Sequence, residues 1–133
     1  MSNEKGLVEL LRKAGYSEKA IDYYMRKLNV GVIEGADAVD SYTGLCGDSM
    51  KIYLKVAESV IKDAKFQAIG CAGAFASGSA LTEMVKGKTL KEATKITEQD
   101  VVKDLEEIPG PKLHCARLAV DALRKSIESY MKQ

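Results

Sequence analysis

Two short amphipathic helices are predicted at the start of the chain. Apolar residues recur there every three or four positions, as on one helix face: Leu7, Leu10, Leu11 and Ala14, then Ile21, Tyr24, Met25 and Leu28. Gly15 suits the left-handed conformation that often ends a helix, and Ser17 suits the N-cap of the next one. Residues 1–28 therefore predict a helical hairpin, added to the main body for packing or for docking a partner.

From Met50 onward the period of the apolar positions falls to two. Apolar side chains alternate with Lys and Tyr up to Val56, and the alternation resumes at Ala64, Phe66 and Ala68. A turn at Glu58 and Ser59 would join the two runs into an antiparallel hairpin over residues 50–69. The segment 30–40, with its three valines, is a candidate third strand.

Helices dominate the rest of the chain. Residues 72–86 carry no charge before Glu83, and their many small side chains indicate a helix buried on most sides. Two capping boxes, Thr89 with Glu92 and Thr97 with Asp100, predict two short helices. A final helix follows residues 109–111. The predicted fold is α+β, with a three-stranded antiparallel sheet packed by helices over residues 29–133.

Composition narrows the range of functions. The 133 residues suit one domain beside the hairpin, and 20 Lys and Arg nearly balance 19 Asp and Glu, which gives no basic surface for nucleic acid or acidic lipid. The amino end resembles no export or import signal, and no apolar run is long enough to span a membrane. A cytoplasmic protein is therefore expected, with its three cysteines reduced.

Each cysteine lies at the boundary of a predicted element. Cys46 is in a loop before a strand, Cys71 follows a strand at the start of the buried helix, and Cys115 is in the first turn of the last helix. Because amides at a helix start stabilise negative charge, Cys71 and Cys115 are both expected to have lowered pKa values. Thiolates bind metal ions and attack sulfur.

Two further ligand types lie beside these cysteines, Asp48 and the single histidine, His114. Three thiolates with an oxygen or nitrogen donor suit zinc or an iron-sulfur centre, and the spacing does not choose between them. If the protein were an interaction module that binds no ligand, the grouping of these five candidate ligands would be a coincidence. A cysteine hydrolase is disfavoured, because adjacent helical residues such as His114 and Cys115 point about 100° apart.

Three segments together resemble the U-type iron-sulfur cluster scaffolds, which are related to the amino-terminal domain of the nitrogen-fixation scaffold. They read CGDSM at 46–50, GCAGAFASGSALTEMVKGK at 70–88 and KLHCARLAVDAL at 112–123. With the strand hairpin, the resemblance covers about residues 29–130. A related branch, the zinc-dependent sulfur carriers, typically has an insertion between its second and third cysteines, and none is evident here.

The resemblance implies a non-enzymatic scaffold for assembling iron-sulfur clusters and transferring them to apo-proteins. A cysteine desulfurase or another sulfide source would supply sulfur to Cys115, supported by Lys112. A [2Fe-2S] cluster would be bound by Cys46, Cys71 and Cys115, with Asp48 or His114 as fourth ligand. Zinc in the cluster-free site, and a [4Fe-4S] cluster in a homodimer, stay open. The alternative is a zinc-bound protein that accepts persulfide sulfur and passes it on.

One segment departs from the family pattern. Where the family commonly has Leu-Pro-Pro-Val-Lys before the histidine, this chain has Ile108-Pro109-Gly110-Pro111-Lys112. The family's dedicated chaperone pair reads that element, so this partner is not expected here.

Overall fold

The structure is a computed structural model that describes residues 2–44 and 47–132. Its elements are α1 (Ser2–Ala14), α2 (Glu18–Arg26), β1 (Ala38–Thr43), β2 (Ser49–Ala57), β3 (Val60–Ile69), α3 (Ala72–Val85), α4 (Leu90–Ala93), α5 (Glu98–Leu105) and α6 (Leu113–Met131). A turn of 3-10 helix at Gly110–Lys112 leads into α6. The predicted α+β fold is confirmed. None of the described helices has the length and apolar character needed to cross a membrane.

The sheet has the order β1-β2-β3, and both pairs of strands are antiparallel. Glu58 and Ser59 form the turn between β2 and β3 with φ values of 53° and 64°. Two consecutive left-handed residues match the right-handed twist of the strands that they join. The hairpin predicted over residues 50–69 is therefore confirmed, with its turn at the predicted positions.

The third strand exists, but it begins later than the segment 30–40 suggested. β1 starts at Ala38, and Val30 forms only an isolated bridge with Phe66. Gly31 and Gly35 have φ values of 149° and 70°, which break any continuous extended run before Ala38. The valines at 30 and 32 therefore belong to an irregular connection.

Helices α3 and α6 cover one face of the sheet and form most of the core. Their approach is close, because a Cβ added at Gly78 of α3 would stand 2.5 Å from the buried ring of Phe66. Across the sheet, the Ser126 hydroxyl of α6 donates to the Ile52 carbonyl at 3.1 Å. This packing fixes the starts of α3 and α6 side by side at one end of the domain.

The predicted helical hairpin at the amino end is present, and its turn contacts the segment before α6. The Ser17 amide donates to the Glu107 carbonyl at 2.9 Å, and the Ser17 side chain also caps α2 at Ala20. The predicted apolar face of α1 is only partly covered, since Leu11 is buried while Leu10 is 67% exposed. A division of the chain at residue 28 stays a prediction.

Both predicted capping boxes form. The Thr89 hydroxyl accepts from the Glu92 amide and the Glu92 carboxylate accepts from the Thr89 amide, which begins α4. Thr97 and Asp100 make the same reciprocal pair at the start of α5. Of these two short helices, α5 packs against both α3 and α6.

Candidate metal centre

Three separate segments bring metal-ligating side chains together at the end of the domain where α3 and α6 begin. Cys71 is the N-cap residue of α3, and Cys115 lies in the first turn of α6. Their Sγ atoms are 3.8 Å apart. Asp48, from the connection between β1 and β2, joins His114 and Cys115 in a group whose ligand atoms lie within 4.8 Å of one another.

The separation of the two sulfur atoms is informative. It is far longer than a disulfide bond, which is about 2.05 Å. Two thiolates bound to one tetrahedral ion, at a metal-sulfur distance of roughly 2.3 Å, are about 3.8 Å apart. The Cys71 and Cys115 sulfurs thus stand at the spacing of a pair that shares one metal atom.

Small residues make room for the carboxylate of Asp48. The Gly44 amide donates to the Asp48 carbonyl at 2.8 Å and closes the connection between β1 and β2. On the other side, a Cβ added at Gly70 would stand 3.1 Å from Oδ2 of Asp48. The absence of a side chain at Gly70 therefore lets the carboxylate approach the Cys115 thiol.

His114 is oriented by the segment that precedes it. Its Nδ1 atom lies 3.0 Å from the Pro111 carbonyl oxygen, and its Nε2 atom lies 3.8 Å from the Cys115 sulfur. A proton on Nδ1 satisfies the carbonyl and leaves the lone pair of Nε2 free to bind a metal. Although His114 and Cys115 are adjacent on a helix, both therefore reach the same site.

The two described thiols differ in their electrostatics. Burial alone would raise the pKa of Cys71, but the free amides of Ala74 and Gly73 at the start of α3 outweigh it and leave that pKa lowered. Burial, followed by the nearby Cys71 sulfur, raises the pKa of Cys115 to about 12. The expected lowering holds for Cys71 and is wrong for Cys115, because Cys115 lies beneath the other thiol, with no exposed surface.

The remaining predicted residues are Lys112 and Cys46. The ammonium of Lys112 acts on both thiols in the direction of a lower pKa, as expected for a cation beside them. Cys46 lies outside the described residues, between Gly44 and Gly47. Its place among the ligands stays a prediction.

The site is open on one side. A cavity of about 370 Å³ adjoins Asp48 and His114, and Tyr42, Arg117 and Asp121 line its far wall. The exposed apolar side chains of Ile69 and Leu113 flank the segments that carry the thiols. The protein can therefore present this end of the domain to a small solute or to another protein.

Two residue types at the site were missed in the sequence. Gly73 lies beneath the thiols, since an added Cβ would stand 3.2 Å from the Cys115 sulfur and 3.1 Å from the hydroxyl oxygen of Tyr16. Tyr16 belongs to the amino-terminal hairpin and is not a usual metal ligand, so ligand chemistry gave no reason to select it. The run Gly-Cys-Ala-Gly is the one local sign that backbone had to approach closely here.

Comparison with known proteins places the chain in a family. The family model described as the NifU-like N terminal domain matches residues 15–133. The chain belongs to the NifU-like N-terminal domain family. The resemblance expected from the three cysteine segments is thereby confirmed.

Relatives and solved structures agree with this assignment. The iron-sulfur cluster assembly scaffold protein IscU 1 of Archaeoglobus fulgidus is 48% identical over 119 residues, covering 89% of this chain and 78% of that protein. The scaffold protein IscU of Escherichia coli is 44% identical over 121 residues, covering 86% of this chain and 93% of that protein. A crystal structure of a Fervidobacterium islandicum protein, described as an iron-sulfur cluster assembly scaffold for the SUF system, matches with a TM-score of 0.68 and 26% identity. It covers 84% of this chain and 96% of that one.

Proposed function

We propose that this member of the NifU-like N-terminal domain family is a scaffold on which iron-sulfur clusters are assembled before transfer to apo-proteins. The observation that carries the proposal is the convergence of Asp48, Cys71, His114 and Cys115 at one open end of the domain. Relatives named as assembly scaffolds cover most of the chain and support the same role. The protein acts as an assembly surface and a sulfur acceptor, and it is not an enzyme.

The cargo is a [2Fe-2S] cluster bound by Cys46, Cys71 and Cys115, with Asp48 or His114 as fourth ligand. Sulfur ligands select iron-sulfur centres and zinc over magnesium or calcium, and the 3.8 Å spacing of two of the sulfurs suits a shared metal atom. Since that spacing also suits zinc, zinc is the expected occupant of the cluster-free site. The group is mixed in its donors, which distinguishes it from a resident four-cysteine cluster site.

Sulfur enters as a persulfide. A cysteine desulfurase, or another sulfur source, presents a persulfide whose outer sulfur is attacked by the Cys115 thiolate, and the donor leaves as a thiolate. Two electrons and two protons from an external reductant then convert the Cys115 persulfide to thiol and sulfide. The ammonium of Lys112 favours the anionic sulfur species at both thiols. Because Cys115 has no exposed surface in the metal-free protein, the residues over it must move when sulfur arrives.

The oxygen or nitrogen ligand provides the route of release. A carboxylate or imidazole is a weaker ligand than a thiolate for a cluster, so an incoming thiol from an acceptor can replace it. Asp48 and His114 lie on the side of the site that adjoins the 370 Å³ cavity. Acceptor apo-proteins therefore approach from this side. A homodimer in which two such sites face each other would accommodate a [4Fe-4S] cluster.

The test is anaerobic reconstitution of the purified chain with iron and a sulfur source. Absorption spectroscopy follows cluster formation, and mixing with an apo-ferredoxin follows transfer. Wild type is expected to form the cluster and to pass it on, while Cys71→Ser and Cys115→Ser should lose nearly all of the cluster absorption. The variant Ser79→Ala is the matched control, because its hydroxyl is also buried in α3 but bonds the Leu28 carbonyl, away from the thiols. A wild-type protein that forms no cluster, or cysteine variants that assemble it normally, would refute the proposal.

A further inference from the structure

Tyr16 approaches the metal centre from the amino-terminal hairpin. Its side chain is buried, and its hydroxyl oxygen lies 3.1 Å from the position that a Cβ on Gly73 would take. The Cys115 sulfur lies 3.2 Å from that same position, and Cβ of Lys112 lies 3.3 Å from it. A phenol hydroxyl, a thiol and a lysine stem thus meet over one glycine.

The position of Tyr16 is fixed by residues on both sides of it. The Tyr16 amide donates to the Leu11 carbonyl at 3.1 Å, and the next amide, of Ser17, donates to the Glu107 carbonyl at 2.9 Å. A Cβ added at Gly15 would be 3.6 Å from Pro109, so the turn between α1 and α2 lies against the segment leading to His114. The hairpin therefore holds the phenol in place at the site.

The surroundings of the hydroxyl define its hydrogen-bonding role. Gly73, Cys71 and Cys115 all lie near enough to the phenol to act on its pKa, which the Gly73 backbone lowers and the two thiols raise. A phenol hydroxyl carries one proton, which it can donate to a nearby sulfur atom. Burial, and then the Cys71 and Cys115 sulfurs, raise the pKa of Tyr16 to about 12.

We propose that Tyr16 is a positioning residue of the metal centre, whose hydroxyl donates a hydrogen bond to the sulfur ligands when metal or cluster is bound. This inference rests on the proposed function, since it concerns the same thiols. It assigns the amino-terminal hairpin a second role, because the hairpin then supplies part of the site in addition to packing on α3. Tyr16 ligates nothing itself and acts through the sulfur ligands.

A hydrogen bond to a metal-bound sulfur has measurable effects. It withdraws electron density from the thiolate, which tunes the energy of sulfur-to-metal charge transfer and the reduction potential of a cluster. Partners of metal ligands typically contribute roughly 10- to 100-fold to metal affinity. Removing the phenol oxygen while keeping the ring should therefore change the metal affinity and the charge-transfer energy and leave the fold intact.

The first experiment titrates the metal-free chain with Co²⁺ under anaerobic conditions. Wild type should show tetrahedral cobalt absorption with thiolate-to-cobalt charge transfer. Tyr16→Phe should bind Co²⁺ about tenfold more weakly and shift the charge-transfer band. Tyr24→Phe is the matched control, because Tyr24 is in the same hairpin and packs edge-on against Phe75 with ring centroids 6.1 Å apart. It should behave as wild type.

The second measurement is the reduction potential of the reconstituted cluster, which should become more negative in Tyr16→Phe and stay unchanged in Tyr24→Phe. Thermal unfolding of the metal-free variants distinguishes a loss of fold stability from an effect on the bound metal. A lowered midpoint with an unshifted charge-transfer band and potential would overturn the inference, and so would a Tyr16→Phe variant identical to wild type. A wild-type chain without thiolate-to-cobalt charge transfer would instead refute the metal centre itself, and the role of Tyr16 with it.

Discussion

The candidate metal centre has two walls that differ in burial. The inner wall is formed by the starts of α3 and α6, where Cys115 and Gly73 are buried. The outer wall consists of Asp48, which is partly exposed, and His114, which is exposed beside an open cavity. The inner wall carries two thiols on packed helices, and the outer wall carries weaker candidate ligands, Asp48 on a loop and His114 in the first turn of α6. A scaffold that must both hold and release its cargo needs this difference.

The inner wall contains one accessible thiol, Cys71, and one buried thiol, Cys115. The largest predicted effect is the difference between their alkylation rates at a given pH. The thiolate is the form that reacts with iodoacetamide. The pKa of Cys71 is lowered, whereas the pKa of Cys115 is raised to about 12. In metal-free Cys46→Ser protein at pH 8, Cys71 should be alkylated on the order of 100-fold faster than Cys115.

The sign of the pH dependence follows from the same shifts. Labelling of Cys71 should persist as pH falls below the usual thiol pKa, whereas labelling of Cys115 should appear only as pH rises toward 12. Peptide mass spectrometry at timed intervals measures both rates. Equal rates, or faster labelling of Cys115, would contradict the described arrangement of the two thiols.

Crowding of the inner wall should have the next largest effect. In Gly73→Ala the new methyl group would stand 3.1 Å from the Tyr16 oxygen and 3.2 Å from the Cys115 sulfur, so side chains on two other elements must shift. Overpacking of this kind costs about 1–3 kcal/mol of unfolding free energy. Chemical denaturation of the metal-free protein measures this cost, and cluster yield should fall with it.

Gly6→Ala is the matched control for crowding. Gly6 also lies within a helix, but an added Cβ would contact nothing within 4 Å. Alanine is the better helix former, so this variant should gain stability by about 0.5–1 kcal/mol. If both variants changed stability in the same direction, the close packing assigned to Gly73 would be refuted.

Substitutions in the outer wall should have a smaller effect, and they should alter the rate of cluster transfer more than the stability of the fold. Asp48→Ala removes one of the two proposed labile ligands, so the cluster should persist longer while its transfer to an apo-ferredoxin slows several-fold. Asp63→Ala, near the opposite end of β3 from Gly70 and beside Lys86, removes a carboxylate without touching the site and should leave transfer unchanged. Transfer kinetics after anaerobic reconstitution give both rates. An Asp48→Ala variant that loses its cluster faster than wild type would contradict the role of this ligand.

Much of the fold could be read from local patterns. The Glu58 and Ser59 turn, both capping boxes and the helix after residues 109–111 appear where the sequence predicted them. Each depends on neighbours within a few positions, which a single sequence displays. The third strand was misplaced, because β1 is defined by its pairing with β2 rather than by a local alternation.

The candidate site divides in the same way. The sequence by itself determined which side chains can bind metal, since the ligand chemistry of Cys, Asp and His does not depend on the fold. Only the tertiary structure decided that Cys71 and Cys115 stand 3.8 Å apart, that burial raises the pKa of one of them, and that Tyr16 reaches them from a hairpin outside the cysteine segments. The physical reason is that distance and burial arise from packing between segments remote in the chain, whereas the identity of a ligand is carried by one residue.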